Sequence, residues 1–239
     1  MIKKFTFNSN SFKLEGILSS PEVTTQTGVL FLHGGGHADA ARYRDVQAFL
    51  SDQGITSLAF SFRGCGKSEG SMSNSTLLDR LLDSESALTM LKQMTGLSDT
   101  QIFIWGSSMG GHVGCRLVDR HPMIRGLLLQ SAAAYGADVE NISFGSEFTR
   151  LIQMDKSWQG SRAFANLGNY SGPTLILYGQ DDLVVPDGVK FEYKSSAKHV
   201  DYQVIAGYGH PMLKPSNDAE KQAWATMVNL ALNFILDGN

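Results

Sequence analysis

The sequence predicts an α/β fold: a mostly parallel sheet with helices on both faces. Three observations carry this prediction. Strand-type and helix-type segments alternate along the chain, the pattern that winds a parallel sheet. Segments such as Val29-Leu30-Phe31-Leu32 and Gln101 to Trp105 are largely apolar runs bounded by glycine or turn residues, as strands covered on both faces are. The chain has 239 residues, and a chain of this size buries roughly 70–75% of its unfolded surface without a metal or disulfide staple. A single domain spanning 1–239 is expected.

Taken in order, Phe5 to Phe7 and Phe12 to Leu18 form two opening strands, antiparallel about the Asn8-Ser9-Asn10-Ser11 turn. Val29 to Leu32 ends in His33-Gly34-Gly35-Gly36. A helix over about 41–53 turns Val46, Phe49 and Leu50 to one side and stops at Gly54. Ile55 to Phe62 is a strand, followed by a Gly/Ser-rich loop from Arg63 to Asn74. From Leu77 the positions Leu77, Leu78, Leu81, Leu82, Leu88, Leu91 and Met94 recur at helical spacing, and Gly96 ends that helix. A strand to Trp105, a helix over Met109 to Arg120 and a strand over Ile124 to Gln130 follow. Pro173 to Tyr178 and Tyr202 to Ala206 are the last strands. The final helix starts near Asn217 with a capping-box pattern to Glu220 and faces inward through Ala223, Met227, Leu230 and Phe234. One stretch, Tyr135 to Ser171, is too long for an ordinary connection. It carries Phe144, Phe148, Trp158 and Phe164 and predicts a short helical lid insertion over about 136–171; a single crossover helix with long flanks is the alternative.

Composition narrows the function. Apolar residues make up 42% and charged residues 18%, which excludes a disordered chain. With 20 Lys plus Arg against 23 Asp plus Glu, the net charge of −3 gives no electrostatic reason to bind nucleic acid. Cys65 and Cys115 form neither a disulfide framework nor a metal knuckle. No apolar run approaches the roughly 18–20 residues of a membrane span. Polar Thr6, Asn8, Ser9, Asn10 and Ser11 stand where a signal peptide needs an apolar stretch, so a cytoplasmic protein with no membrane partner is expected.

The sharpest local signal is Gly106-Ser107-Ser108-Met109-Gly110, a G-x-S-x-G pentapeptide with a strand before it and a helix after it. A tight strand-to-helix turn lifts the Ser108 hydroxyl above the sheet at a helix N-terminus, where developing negative charge is favoured. A serine hydroxyl needs a base, and the base needs an orienting acid. Both occur later, each after a strand: Gly179-Gln180-Asp181-Asp182 and Gly207-Tyr208-Gly209-His210. These loops fall at the carboxyl edge of a parallel sheet, where open α/β folds place their sites. The Gly35 N–H, after the third strand, and the Met109 N–H, next to the nucleophile, are the expected donors of an oxyanion hole.

Five landmarks in order resemble the α/β-hydrolase family, in its group of small-lidded esterases, lipases and serine aminopeptidase-like hydrolases. They are His33-Gly34-Gly35, Phe62-Arg63-Gly64-Cys65-Gly66-Lys67-Ser68, Gly106 to Gly110, Gly179 to Pro186, and Gly207 to His210. The resemblance implies an eight-stranded type of sheet and a serine hydrolase with catalytic Ser108, Asp182 and His210. It selects Asp182 over Asp181, because the family's acid lies three residues after Gly179. It implies a small-molecule ester substrate, cleaved through a Ser108 acyl-enzyme without metal or cofactor. The substrate-binding candidates are Trp158, Phe144 and Phe148, since ligand pockets are largely apolar. Amide, peptide or thioester cleavage, acyl transfer, and a non-catalytic binding role are the alternatives. Two positions depart from the family pattern: Ser61 replaces an aspartate before the arginine loop, and Ser107 stands where histidine is frequent.

Competing motifs are weak. Gly64 to Ser68 lacks the earlier glycine of a phosphate-binding loop, and no helix follows at once. His33 and His37 stand four apart across glycines, so no helix aligns them as metal ligands. His112 is expected to pack or cap.

Overall fold

The computed structural model describes residues 1–23, 26–36, 38–210 and 215–237. The strands are β1 (Ile2–Ser9), β2 (Phe12–Ser19), β3 (Gly28–Leu32), β4 (Thr56–Phe60), β5 (Ile102–Ser107), β6 (Gly126–Gln130), β7 (Thr174–Gly179) and β8 (Val200–Ile205). They form one 8-stranded sheet in the order β1-β2-β4-β3-β5-β6-β7-β8. The β1–β2 and β2–β4 pairs are antiparallel and every other pair is parallel.

Seven α-helices connect the strands: α1 (Arg44–Asp52), α2 (Leu77–Thr95), α3 (Met109–Arg120), α4 (Ser146–Ile152), α5 (Arg162–Asn169), α6 (Asp187–Ser196) and α7 (Asp218–Asp237). The unbroken apolar strands divide their side chains between the two faces with period two. Leu30, Leu32, Ile102 and Ile104 point to one core, shared with α2, α3, α5 and α6. Val29, Phe31, Phe103 and Trp105 point to the other, shared with α1 and α7. A sheet covered on both faces is what makes these runs apolar throughout.

Element ends differ from the sequence reading for local reasons. β1 extends to Ile2 because it pairs with β2 along its whole length. Helix α1 is preceded by a 3₁₀ turn over Ala40–Tyr43, capped when the Asp39 side chain accepts from the Ala41 N–H. Helix α2 begins with a reciprocal capping box between Thr76 and Asp79 and ends at Gly96, whose φ of 76° only glycine adopts without strain. In α7 the buried face is Ala223, Met227, Val228, Ala231 and Ile235; Leu230 and Phe234 pack only at its border. Ser216, rather than Asn217, donates to the Glu220 carboxylate, while Asn217 accepts from the Glu220 N–H.

The long stretch after β6 divides in two. Residues from Tyr135 through α4 to Ser161 form a cap over the carboxyl end of the sheet. Helix α5 buries Ala163 and Leu167 in the main core and supplies the crossover to β7. Between β6 and β7 the chain thus runs through a 3₁₀ turn over Ala137–Val139, then α4, then α5.

Candidate active site

The turn between β5 and α3 presents Ser108. Its backbone sits at φ 53° and ψ −119°, a region L-residues rarely occupy. Glycines make the turn possible. A Cβ on Gly110 would run into the Leu32 carbonyl, and one on Gly106 into the Gly110 carbonyl. The Ser108 N–H donates to the Gln130 carbonyl at 2.9 Å, and its own carbonyl accepts from Gly111 and Ala133. The peptide is thus held on both sides, and the side chain is left half-buried at the first turn of α3.

Two loops bring the partners. The His210 Nε2 lies 3.0 Å from the Ser108 Oγ. The His210 Nδ1 lies 3.0 Å from each carboxylate oxygen of Asp182. Asp182 is 1% exposed and its Oδ1 also accepts from the N–H groups of Val184 and Val185. Burial works against its ionisation, but the His210 hydrogen bond and charge and the Val185 N–H hold the carboxyl below the usual carboxylate range. Asp181 is exposed and anchors the loop by donating its N–H to the Tyr208 carbonyl. The geometry joins Ser108, His210 and Asp182 in one hydrogen-bonded chain able to move a proton from hydroxyl to imidazole.

The glycine loop after β3 lies against this serine. A Cβ on Gly34 would come within 3.2 Å of the Ser108 Cβ, and one on Gly35 within 3.3 Å of the Met109 Cε. The Met109 N–H belongs to the first turn of α3, where N–H groups have no partner within the helix. His33 braces the loop from below. It is fully buried, its Nδ1 lies 2.8 Å from the Gly34 carbonyl and its Nε2 accepts from the Phe62 N–H. Burial and the neighbouring Arg80 charge push its pKa well down, so this ring is neutral. His37 lies outside the described residues.

Both departures from the family pattern have local explanations. The Ser61 Oγ accepts from the Ala40 N–H at 3.1 Å and so fastens the chain after the glycine loop. The Ser107 Oγ donates to the Gln130 Oε1, which also accepts from the Trp105 indole, while the Gln130 amide donates to the Tyr208 hydroxyl. Gln130 therefore ties the strand under Ser108 to the loop that carries His210. No sequence signal marks this role, because a glutamine at a strand end looks like any polar terminus.

The aromatic candidates separate into two groups. Phe144 and Phe148 meet edge-to-face at 4.9 Å, and Phe148 continues to Tyr135 at 5.7 Å. This wall reaches the glycine loop through Arg80, whose guanidinium lies over the Phe144 ring. Trp158 belongs elsewhere: it packs against Phe164 and over Gly188 at the start of α6.

The cap is fastened to α3 by a second charged group. Glu140 is 1% exposed, with Arg116 Nε at 3.1 Å, His112 Nε2 at 3.3 Å and Arg162 Nη1 at 3.1 Å. The Arg162 contact is an aligned hydrogen bond, whereas the His112 Nε2 and Arg116 Nε contacts are close but off the hydrogen-bond line. The His112 Nδ1 lies 3.4 Å from the Ser161 hydroxyl. Burial pushes His112 below the ordinary imidazole value despite the pull of Glu140.

Among the described residues, no group of three or more His, Cys, Asp or Glu side chains could hold a metal ion, and no helix is long and apolar enough to cross a membrane.

Comparison with known proteins agrees with this fold. Residues 24–157 match the family model described as serine aminopeptidase, S33. The chain is 26% identical over 159 residues to YfhR of Escherichia coli (strain K12), covering 65% of this chain and 53% of that protein. It is 30% identical over 173 residues to the lysophosphatidylserine lipase ABHD12 of Danio rerio, covering 66% of this chain and 44% of that one. The chain thus spans about half the length of the curated relatives it matches. Among solved structures, Est1E from Butyrivibrio proteoclasticus with ferulic acid superposes with a TM-score of 0.74 at 19% identity, covering 98% of this chain and 99% of that one. The 2-hydroxy-6-oxo-6-phenylhexa-2,4-dienoate hydrolase of Rhodococcus sp. strain RHA1 gives 0.71 at 18% identity, covering 99% of each chain. From Val29 through the Ser108 turn to the last helix, the chain belongs to the α/β hydrolases.

Proposed function

We propose that this hydrolase cleaves carboxylic esters of small acyl or aromatic acids through a Ser108 acyl-enzyme. The observation that carries the reading is the 3.0 Å approach of the His210 Nε2 to the Ser108 Oγ, with Asp182 on the other ring nitrogen.

The ring nitrogen facing Asp182 carries the proton, which leaves Nε2 as the acceptor. As the Ser108 oxygen attacks the ester carbonyl, its proton passes to His210, and the buried Asp182 carboxylate stabilises the imidazolium. The N–H groups of Gly35 and Met109 receive the carbonyl oxygen as it becomes an anion. His210 then returns the proton to the departing alkoxide oxygen as the C–O bond breaks. Water enters, gives its proton to His210 and attacks the acyl carbon, and collapse of this second intermediate restores the Ser108 hydroxyl. No step needs a cofactor. We assign the acyl group to the wall of Phe144, Phe148 and Tyr135; Trp158 serves to pack the cap on α6.

A panel of p-nitrophenyl esters of short, long and aromatic acids, run beside the matching p-nitroanilides, tests the reading. Turnover of short or aromatic esters, with Ser108 labelled by a fluorophosphonate probe, is the expected result. Preferential anilide cleavage would move the assignment to the peptidase side of the family, and absence of labelling would end the acyl-enzyme reading.

A further inference from the structure

Arg80 is 1% exposed, yet no carboxylate lies within ion-pair distance of it among the described residues. Its two nearest acidic neighbours on α2, Asp79 and Asp83, are both occupied by Arg63. The Arg80 guanidinium is instead sandwiched between rings, 4.6 Å from the Phe62 centroid and 5.2 Å from the Phe144 centroid. Its Nη1 donates to the Gly34 carbonyl at 3.0 Å and lies 3.4 Å from the His33 carbonyl. Its Nη2 contacts the Cys65 sulfur at 3.9 Å, and its Nε has no partner. A methionine or leucine would fill this space without the cost of burying a cation. Guanidinium does not lose its proton in such a site, so the charge stays in place, held by carbonyls, ring faces and the Cys65 sulfur rather than by a contacting carboxylate.

The carbonyl it grips matters. In a trans peptide the C=O and the following N–H point in opposite directions. Arg80 and His33 both converge on the Gly34 oxygen from the α2 side. This turns the Gly35 N–H away from them, while Gly34 itself rests against Ser108. Of the two arginine charges that reach His33, those of Arg80 and Arg42, that of Arg80 acts more strongly and its guanidinium is the one on the Gly34 carbonyl.

We propose that Arg80 is the positioning residue of the oxyanion cradle: it fixes the Gly34–Gly35 peptide with Gly35 N–H aimed at the reacting carbonyl, and its charge, which no carboxylate contacts directly among the described residues, favours the oxyanion as it forms. This rests on Ser108 being the nucleophile. Preorganised donors and charges of this kind act on the transition state and leave substrate binding nearly untouched.

The test compares full-length wild type, Arg80→Met and Arg80→Gln. It measures kcat and KM on p-nitrophenyl acetate, inhibition by phenylboronic acid, end-point labelling by a fluorophosphonate, and thermal unfolding. In Arg80→Met, kcat should fall ~10²–10³-fold, as on loss of an oxyanion donor. KM should stay nearly constant, and boronate binding should weaken alongside kcat. End-point labelling should remain stoichiometric, showing Ser108 intact. Arg80→Gln keeps a donor without the charge and should fall between the two. If Arg80→Met does not fold, Arg80→Gln carries the same readouts. A folded variant with wild-type kcat, or a kcat loss with unchanged boronate affinity, overturns the proposal. Failure of the wild type itself to take the probe would instead overturn the Ser108 reading beneath it.

Discussion

Ser108–His210–Asp182 and Ser161–His112–Glu140 each join a serine, a histidine and a carboxylate in the same order of contact, within one molecule. In the first, the serine is half-buried on a strained turn and its oxygen meets the imidazole at 3.0 Å. In the second, the serine is 4% exposed, its oxygen already caps α5 by accepting from the Ala163 N–H, and it stands 3.4 Å from its histidine. The carboxylates differ as well. Asp182 directs both oxygens to one imidazole, whereas Glu140 is divided among His112, Arg116 and Arg162. What separates the two serines here is backbone placement and whether the acid faces one side-chain partner or three.

The comparison breaks most sharply at the hydroxyls. Ser108→Ala should lower kcat by ~10⁴-fold or more, because such residues act as a unit. Ser161→Ala should leave kcat unchanged and cost about 1 kcal/mol of stability through the lost cap. Ester turnover and urea unfolding of the two variants check both, and comparable activity losses would erase the distinction. The acids come next. Asp182→Asn should lower kcat by ~10⁴-fold by presenting the wrong face of His210. Glu140→Gln should cost about 2 kcal/mol, since it removes the charge that the partly buried Arg116 and the more exposed Arg162 pair with, with kcat changed by only a few-fold. An Asp182→Asn enzyme of near-normal kcat would remove the acid from the relay.

The smallest effect is on pH dependence. Burial holds His112 and His33 below their unfolded pKa values. The unfolded chain therefore binds protons first, and stability is lost as pH falls below about 6.5. Glu140 and Asp182 have depressed pKa values, so what they contribute is lost only at more acid pH, as each carboxylate is protonated. Between pH 7 and 5 the two buried imidazoles thus contribute to the slope, and His112→Gln should make it shallower. Melting temperatures at pH 5, 6 and 7 measure this; an unchanged slope would mean His112 is not a buried neutral group.

These contrasts track what could be read from the sequence. The Ser108 turn was legible because its geometry is written in backbone-permissive residues, Gly106 and Gly110, at fixed spacing. Asp182 and His210 were legible because each follows a strand of a parallel sheet, so chain order sets their location. Arg80, Gln130 and Glu140 were not. Arg80 lies on an amphipathic helix, where arginine ordinarily faces water; tertiary packing pairs Asp79 with Arg63 and buries Arg80. Glu140 lies in a stretch without periodicity, and its partners come from α3 and α5. The aromatic stretch was visible as a cap, but its division into a Phe144–Phe148 wall and a Trp158 brace depends on contacts no local pattern encodes.

The Gln130 bridge between Trp105, Ser107 and Tyr208 runs through the interior of the sheet and owes nothing to residues 136–161. The His210 side of the site is thus bolted to the sheet, while the glycine-loop side meets the cap where Arg80 lies over Phe144. A grafted cap that keeps an aromatic ring at position 144 should therefore leave the bond-breaking steps as they are, whereas one that removes it should disturb the glycine loop.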